Sequence, residues 1–66
     1  MEHYKALFSG RYFTAGRLYP VLDHIEGGGI MTADNDNAEH YLSGDYLLTH
    51  FRKATGDELR AAGIKT

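Results

Sequence analysis

Apolar residues in this chain fall in short runs divided by turn-forming residues, a pattern typical of small β proteins. Residues 14–42 read TAGRLYPVLDHIEGGGIMTADNDNAEHYL, in which two glycine-bearing turns and one acidic turn separate three apolar runs. We predict that these runs form a β-meander and that the rest of the chain closes around it.

The whole pattern predicts five strands, at residues 3–8, 17–25, 30–33, 39–42 and 51–55. The second run is apolar on both faces, so we expect a bent strand shared between two sheet surfaces. Pro20 lacks an N–H group, which places it at an edge or a bulge. The glycines at 27–29 predict a hairpin tip, and the Asp and Asn residues at 34–37 predict a second tight turn.

Two helical segments are also indicated. Ser43 is a good helix N-cap and Asp45 suits the first turn, which predicts a helical or 3₁₀ turn before the last strand. Asp57 is expected to cap a short C-terminal helix over residues 58–62, stopped by Gly63. The 66 residues allow one domain, with its core in residues 3–55 and a tail or short helix at 56–66.

The segment RYFTAG, residues 11–16, is too short and too aromatic for a flexible linker. We expect a structured loop that doubles back, with Tyr12 or Phe13 covering one end of the core. The alternative is that these rings form an exposed recognition patch.

The order of these elements resembles the Src-homology-3-like small barrels, in which a structured first loop, a three-strand meander and a 3₁₀ turn before the last strand recur. The resemblance covers about residues 3–55 and is carried by FTAGRLYPV and EHYLSGDYLLTHF. It implies a mainly β fold, a small five-stranded barrel with a short helical turn before the last strand. The ALYDY-type motif and the Trp of the peptide-binding members are absent, which argues against proline-rich ligands. The glycine before an aromatic strand and the acidic turn leading into EHYL also resemble small bacteriophage and prophage proteins.

Composition narrows the function classes. A domain of this length buries only about 60% of its unfolded surface, so its stability is marginal. The absence of cysteine excludes disulfides and thiolate metal sites and fits a reducing compartment. A formal net charge of −2 gives no general attraction to phosphate backbones. We find no signal-peptide pattern and no membrane-length apolar run, so we expect a soluble cytoplasmic protein.

No motif predicts a cofactor, a metal site or catalysis. The four histidines lack metal-ligand spacing, although folding could bring His24 and His40 together. Asp34, Asp36 and Glu39 lack the calcium-loop pattern, and the three glycines are not followed by the Lys-Ser/Thr of a phosphate loop. With no G-x-S-x-G context either, we expect a protein that is not an enzyme.

We therefore predict a protein-binding module, a phage or prophage accessory protein that engages or inhibits a host or viral protein in the host cytoplasm. Self-association is an expected companion, because a small core gains from covering an edge strand. The alternative is a small nucleic-acid-binding barrel that uses a patch of arginine and tyrosine side chains. No membrane partner is expected. The predicted partner-binding residues are Arg11, Tyr12, Phe13, Arg17, Tyr19 and Tyr46.

Overall fold

The computed structural model describes residues 2–65 of the chain. Strand exceeds helix, at 34% against 20%, so the protein is mainly β as the sequence predicts. The elements, in chain order, are β1 (His3–Ala6), β2 (Leu18–Pro20), β3 (Asp23–Ile25), β4 (Gly29–Ala33), β5 (Glu39–Leu42), α1 (Gly44–His50), β6 (Phe51–Lys53) and α2 (Gly56–Ala61).

The strands form two antiparallel three-stranded sheets. The first sheet has the order β2-β1-β6, and the second has the order β3-β4-β5. Tyr4 lies opposite Tyr19 in the first sheet, and Met31 lies opposite Tyr41 in the second. Pro20 lies in an edge strand, as predicted, where its missing N–H group is tolerated.

The predicted long strand at 17–25 is divided between the two sheets. The Val21 N–H donates to the Glu2 carbonyl at 2.8 Å, beside β1, and the Leu22 N–H donates to the Met31 carbonyl at 2.8 Å, in β4. Two successive amides therefore bond to different sheets, and these two residues are all that separates β2 from β3. Sharing between two sheet surfaces is confirmed, but a closed five-stranded barrel is not: residues 2–65 form six strands in two separate sheets.

The first and last strands are shorter than predicted. β1 ends at Ala6 and β6 ends at Lys53, whereas the sequence pattern predicted strands to residues 8 and 55. Beyond Ala6 the chain bonds to the end of α1 instead, because the Leu7 N–H donates to the His50 carbonyl at 2.8 Å. Phe8 consequently lies outside the core.

The core lies between the two sheets and is strongly aromatic. The Phe13 ring meets the rings of Tyr19 and Phe51 edge to face, with centroids 4.8 and 5.3 Å apart. Edge-to-face pairs of this kind stabilise a core beyond the area that they bury. Thr32 is fully buried, and its hydroxyl donates to the Pro20 carbonyl at 2.7 Å, a polar link between the sheets. The buried apolar residues are Ala6, Phe13, Tyr19, Val21, Ile30, Leu42, Leu47 and Phe51.

Helix α1 begins against the glycine tip of the β3–β4 hairpin. Ser43 caps it as predicted, since its Oγ accepts from the Tyr46 N–H at 3.2 Å. Gly27 and Gly28 have φ of 90° and 89°, which glycine adopts without strain. A Cβ at Gly44 would lie 2.8 Å from the Gly27 carbonyl oxygen, so only glycine fits at this contact.

The short C-terminal helix is confirmed, with a different cap. Thr55, not Asp57, is the N-cap: its hydroxyl accepts from the Glu58 N–H, and the Glu58 carboxylate accepts from the Thr55 N–H. This reciprocal capping box satisfies two amides that a lone Asp57 would not. At the far end, Gly63 with φ 78° permits the bonds from Gly63 to Arg60 and from Ile64 to Leu59.

Glu58 fastens α2 to the first sheet. Lys5 and Arg52 lie opposite each other on β1 and β6, an arrangement of like charges that would be destabilising alone. The Glu58 carboxylate accepts from Lys5 Nζ at 2.9 Å and from Arg52 Nη2 at 2.6 Å. The Arg52 guanidinium, the Thr55 N–H and the Lys5 ammonium hold the pKa of Glu58 well below its usual range.

Neither helix in the described part of the chain has the length and apolar character required to cross a bilayer.

We predict that Glu58→Gln lowers the free energy of unfolding at pH 7 and flattens its pH dependence. A lowered folded-state pKa means that Glu58 stabilises the fold above the unfolded-state value of about 4.3, and that this contribution is lost as the pH falls further. The gap between wild type and variant should therefore begin to narrow near pH 4 and shrink progressively as the pH falls toward the lowered folded-state pKa of Glu58. Urea denaturation across pH measures this. Glu26→Gln is the control, since Glu26 is exposed and makes no ion pair within residues 2–65; an equal effect of both variants would contradict the assignment.

We predict that Gly44→Ala destabilises the fold by about 1–3 kcal/mol, although alanine is the better helix former, because the new methyl group overpacks the glycine tip. Gly10→Ala is the matched control: no heavy atom lies within 4 Å of a Cβ built there. Its effect should stay within about 0.5 kcal/mol. Thermal and urea unfolding of both variants test the contact, and an unchanged Gly44→Ala variant would refute it.

Candidate functional site

An open groove of about 700 Å³ lies between the first loop, strand β5 and helix α1. We call it the aromatic groove. Residues 8–13 form one wall, residues 40–43 form the second, and Tyr46, His50 and Phe51 form the third. Its exposed rings are Phe8 (61%), Tyr41 (55%), Tyr46 (42%) and Tyr12 (38%).

The first loop is structured, as predicted. The Gly10 N–H donates to the Phe13 carbonyl at 2.9 Å, and the Gly16 N–H donates to the Ala6 carbonyl at 2.8 Å. The Tyr12 carbonyl accepts from the Asn35 N–H at 2.9 Å, which ties the loop to the turn between β4 and β5. Because Phe13 is buried in the core, its neighbour Tyr12 is left on the groove side.

Helix α1 presents a stacked ring pair to the groove. Tyr46 and His50 are four residues apart on the helix, and their rings stack with centroids 4.0 Å apart and planes 7° apart. Phe8 meets the His50 ring edge to face at 5.8 Å. His50 Nδ1 lies 2.7 Å from the Thr49 hydroxyl, which fixes the ring plane further. The wall is therefore rigid.

His40 on β5 is held from beneath by Asp34. The Asp34 carboxylate is buried, accepts from the N–H groups of Ala38 and Asp36, and lies 2.7 Å from His40 Nε2. These bonds, with that of Ala38 foremost, hold the pKa of Asp34 below its usual value. An ionised carboxylate only accepts, so His40 carries a proton on Nε2. The Tyr12 ring rests on the fixed imidazole, with centroids 4.5 Å apart.

The structure divides the six predicted partner-binding residues into two groups. Arg11, Tyr12 and Tyr46 line the groove, with Phe13 buried at its base. Arg17 and Tyr19 do not line it.

Tyr19 is a structural residue. It is buried, and its hydroxyl accepts from the Thr14 N–H at 2.7 Å and donates to Asn35 Oδ1 at 2.6 Å. Arg17 donates to the same Asn35 oxygen at 3.2 Å. This cluster holds the base of the first loop.

Five ring-bearing residues of the groove were not predicted as partner-binding: Phe8, His40, Tyr41, His50 and Phe51. The sequence pattern predicted Phe8 as the last residue of the first strand, whereas β1 ends at Ala6. The four-residue spacing of Tyr46 and His50 was visible in the sequence as a shared helix face. Nothing local indicated that this face meets the first loop.

Among residues 2–65, no group of three His, Cys, Asp or Glu side chains could hold a metal ion. His24 bonds to Glu2 at 2.8 Å and His40 bonds to Asp34, so the two histidines have separate partners. The N–H groups of Asp36 and Ala38 donate to the Asp34 carboxylate, which are the hydrogen bonds by which an Asp side chain stabilises a turn.

Comparison of the chain with protein-family models, with curated proteins and with solved structures gave no match.

We predict opposite outcomes for two neighbouring phenylalanines. Phe13→Ala should cost about 3–5 kcal/mol, because it opens a cavity in the core. Phe8→Ala, the matched control, should change the free energy of unfolding by no more than about 0.5 kcal/mol, because the ring is exposed. Urea denaturation followed by circular dichroism measures both. Equal losses would contradict the division between core and groove.

Proposed function

We propose that this protein is a non-enzymatic protein-binding module whose partner occupies the aromatic groove. The observation that carries the proposal is the clustering of four exposed rings, those of Phe8, Tyr12, Tyr41 and Tyr46, around one concave surface. Exposed apolar rings in a monomeric protein mark interaction surfaces when they cluster. Tyrosine is enriched at interface hot spots because it offers a large, stiff, amphipathic ring at low entropic cost.

The contacts that hold the rings in place support this proposal. Tyr46 is stacked on His50, and Tyr12 rests on His40, which is itself bonded to the buried Asp34. Side chains held in place before binding lose little freedom when a partner arrives, so more of the contact free energy appears as affinity.

We also propose that the fold is an opened relative of the Src-homology-3-like small barrels. Support comes from the strand pairing: the first and last strands share a sheet with β2, the following β3-β4-β5 meander forms the second sheet, and α1 precedes the last strand. The phage or prophage origin and the cytoplasmic setting remain parts of the same proposal, carried by the sequence resemblance.

Self-association is a second route by which this small domain gains stability. Each sheet ends in two edge strands, whose outer backbone groups are open to pairing. Sedimentation velocity over a range of protein concentrations measures this self-association.

Nucleic-acid binding is the weaker proposal. Stacking platforms need exposed rings beside cations. The Arg17–Tyr19 half of the predicted patch does not supply one, since the Tyr19 ring is buried and its hydroxyl is bonded to Asn35.

The test compares three immobilised proteins in a bacterial lysate: wild type, Tyr12→Ala/Tyr46→Ala, and Leu22→Ala/Leu48→Ala. The last is the control, since Leu22 and Leu48 are exposed and lie outside the groove. We expect a partner that wild type and control capture and the groove variant does not. With that partner purified, the groove variant should bind at least about tenfold more weakly, as for hot-spot residues. Identical captured proteins in all three samples would refute the proposal.

A further inference from the structure

The charges around the aromatic groove are of one sign. Among residues 2–65, none of the side chains that line it is a carboxylate: its ionisable groups are Arg11, His40 and His50, together with tyrosines. The protein as a whole carries nine acidic residues and a formal net charge of −2, so the groove differs from the rest of the molecule. The one carboxylate bonded to a groove residue, Asp34, lies buried behind His40 and is satisfied there.

Most other cations are already paired within the molecule. Lys5 and Arg52 bond to Glu58, Lys53 bonds to Glu2 at 3.0 Å, and Arg60 bonds to Asp57. The Arg11 guanidinium lies 5.4 Å from the centroid of the Tyr12 ring, and no carboxylate of residues 2–65 forms an ion pair with it. Arg11 is thus a cation at the groove rim whose charge the described chain leaves uncompensated.

We infer that the groove takes an acidic peptide, in which an Asp or Glu carboxylate pairs with Arg11 and a neighbouring apolar side chain packs on Tyr12 and Tyr46. This inference rests on the proposed function and specifies its ligand. The planar guanidinium offers a carboxylate two parallel N–H bonds, a strong and directional contact. The absence of carboxylates in the walls removes the repulsion that an acidic segment would otherwise meet.

The same charges favour a peptide over a nucleic acid. Nucleic-acid affinity is built from several neutralised phosphates, and the groove offers a single arginine on a protein of net negative charge. One arginine beside exposed rings is complementary to a peptide that presents one carboxylate beside an apolar side chain.

The probe is a displayed library of short random peptides, selected on the immobilised full-length wild-type chain and counter-screened on Tyr12→Ala/Tyr46→Ala. Selected peptides are then synthesised in two forms, one as found and one with Asp and Glu replaced by Asn and Gln. Their affinities are measured on wild type, Arg11→Gln and Lys65→Gln. The last variant is the control, because it removes the same charge from an exposed position outside the groove.

We expect the groove-dependent peptides to be enriched in Asp and Glu. Affinity should fall about tenfold on Arg11→Gln, or when the Asp and Glu of the peptide are replaced by Asn and Gln, the size expected for one lost charge-assisted pair, and should change little on Lys65→Gln.

Groove-dependent peptides without acidic enrichment, or equal losses on Arg11→Gln and Lys65→Gln, would overturn the acidic ligand and leave the proposed function standing. The absence of any peptide that depends on Tyr12 and Tyr46 would overturn both. Competition by oligothymidylate, lost on Arg11→Gln, would overturn the peptide assignment in favour of a nucleic acid.

Discussion

The two sheets are joined at a point where two successive backbone amides donate hydrogen bonds in different directions, one toward each sheet. Val21 donates to the chain beside β1, and Leu22 donates to β4, so the backbone passes from one sheet to the other without a loop between them. The Thr32 hydroxyl adds a third link where it donates to the Pro20 carbonyl. These three bonds fix the sheets face to face over a core that a 66-residue chain can fill only with large rings.

The first loop contributes to both the core and the groove. Phe13 supplies a ring to the core, and the neighbouring Tyr12 supplies one to the groove, so the packing that stabilises the fold also sets the geometry of the surface. The Tyr19 hydroxyl and the Asn35 side chain close the base of this loop. A small domain has few residues to spare, and here the interior and the candidate binding surface depend on adjacent positions of one segment.

Local signals in the sequence were sufficient where the determining contact is itself local. β5 falls at residues 39–42 and α1 is capped by Ser43, as predicted, because alternation and capping act within a few residues. The division of the run at 17–25 could not be read from the sequence, since it depends on bonds to Glu2 and Met31. Likewise, neither alternation nor helical spacing applies in the first loop, so the pattern could not decide which of Tyr12 and Phe13 points inward. Phe8 was misplaced because β1 ends where its neighbour bonds to His50, far along the chain.

The distribution of charge shows why a net acidic protein has a groove without acids. Several of its carboxylates act within the fold: Glu58 neutralises the facing Lys5 and Arg52, Glu2 pairs with Lys53, and Asp34 orders its own turn. Each ion pair also neutralises the positive charge that its Lys or Arg would otherwise present at the surface. Arg11 is left beside the rings with its charge uncompensated by the described chain, where a desolvated contact is worth more than one in open water. The acidic residues that stabilise the scaffold therefore shape the charge of the groove indirectly, because they neutralise cations elsewhere and leave Arg11 as the charged side chain among the described residues that line it.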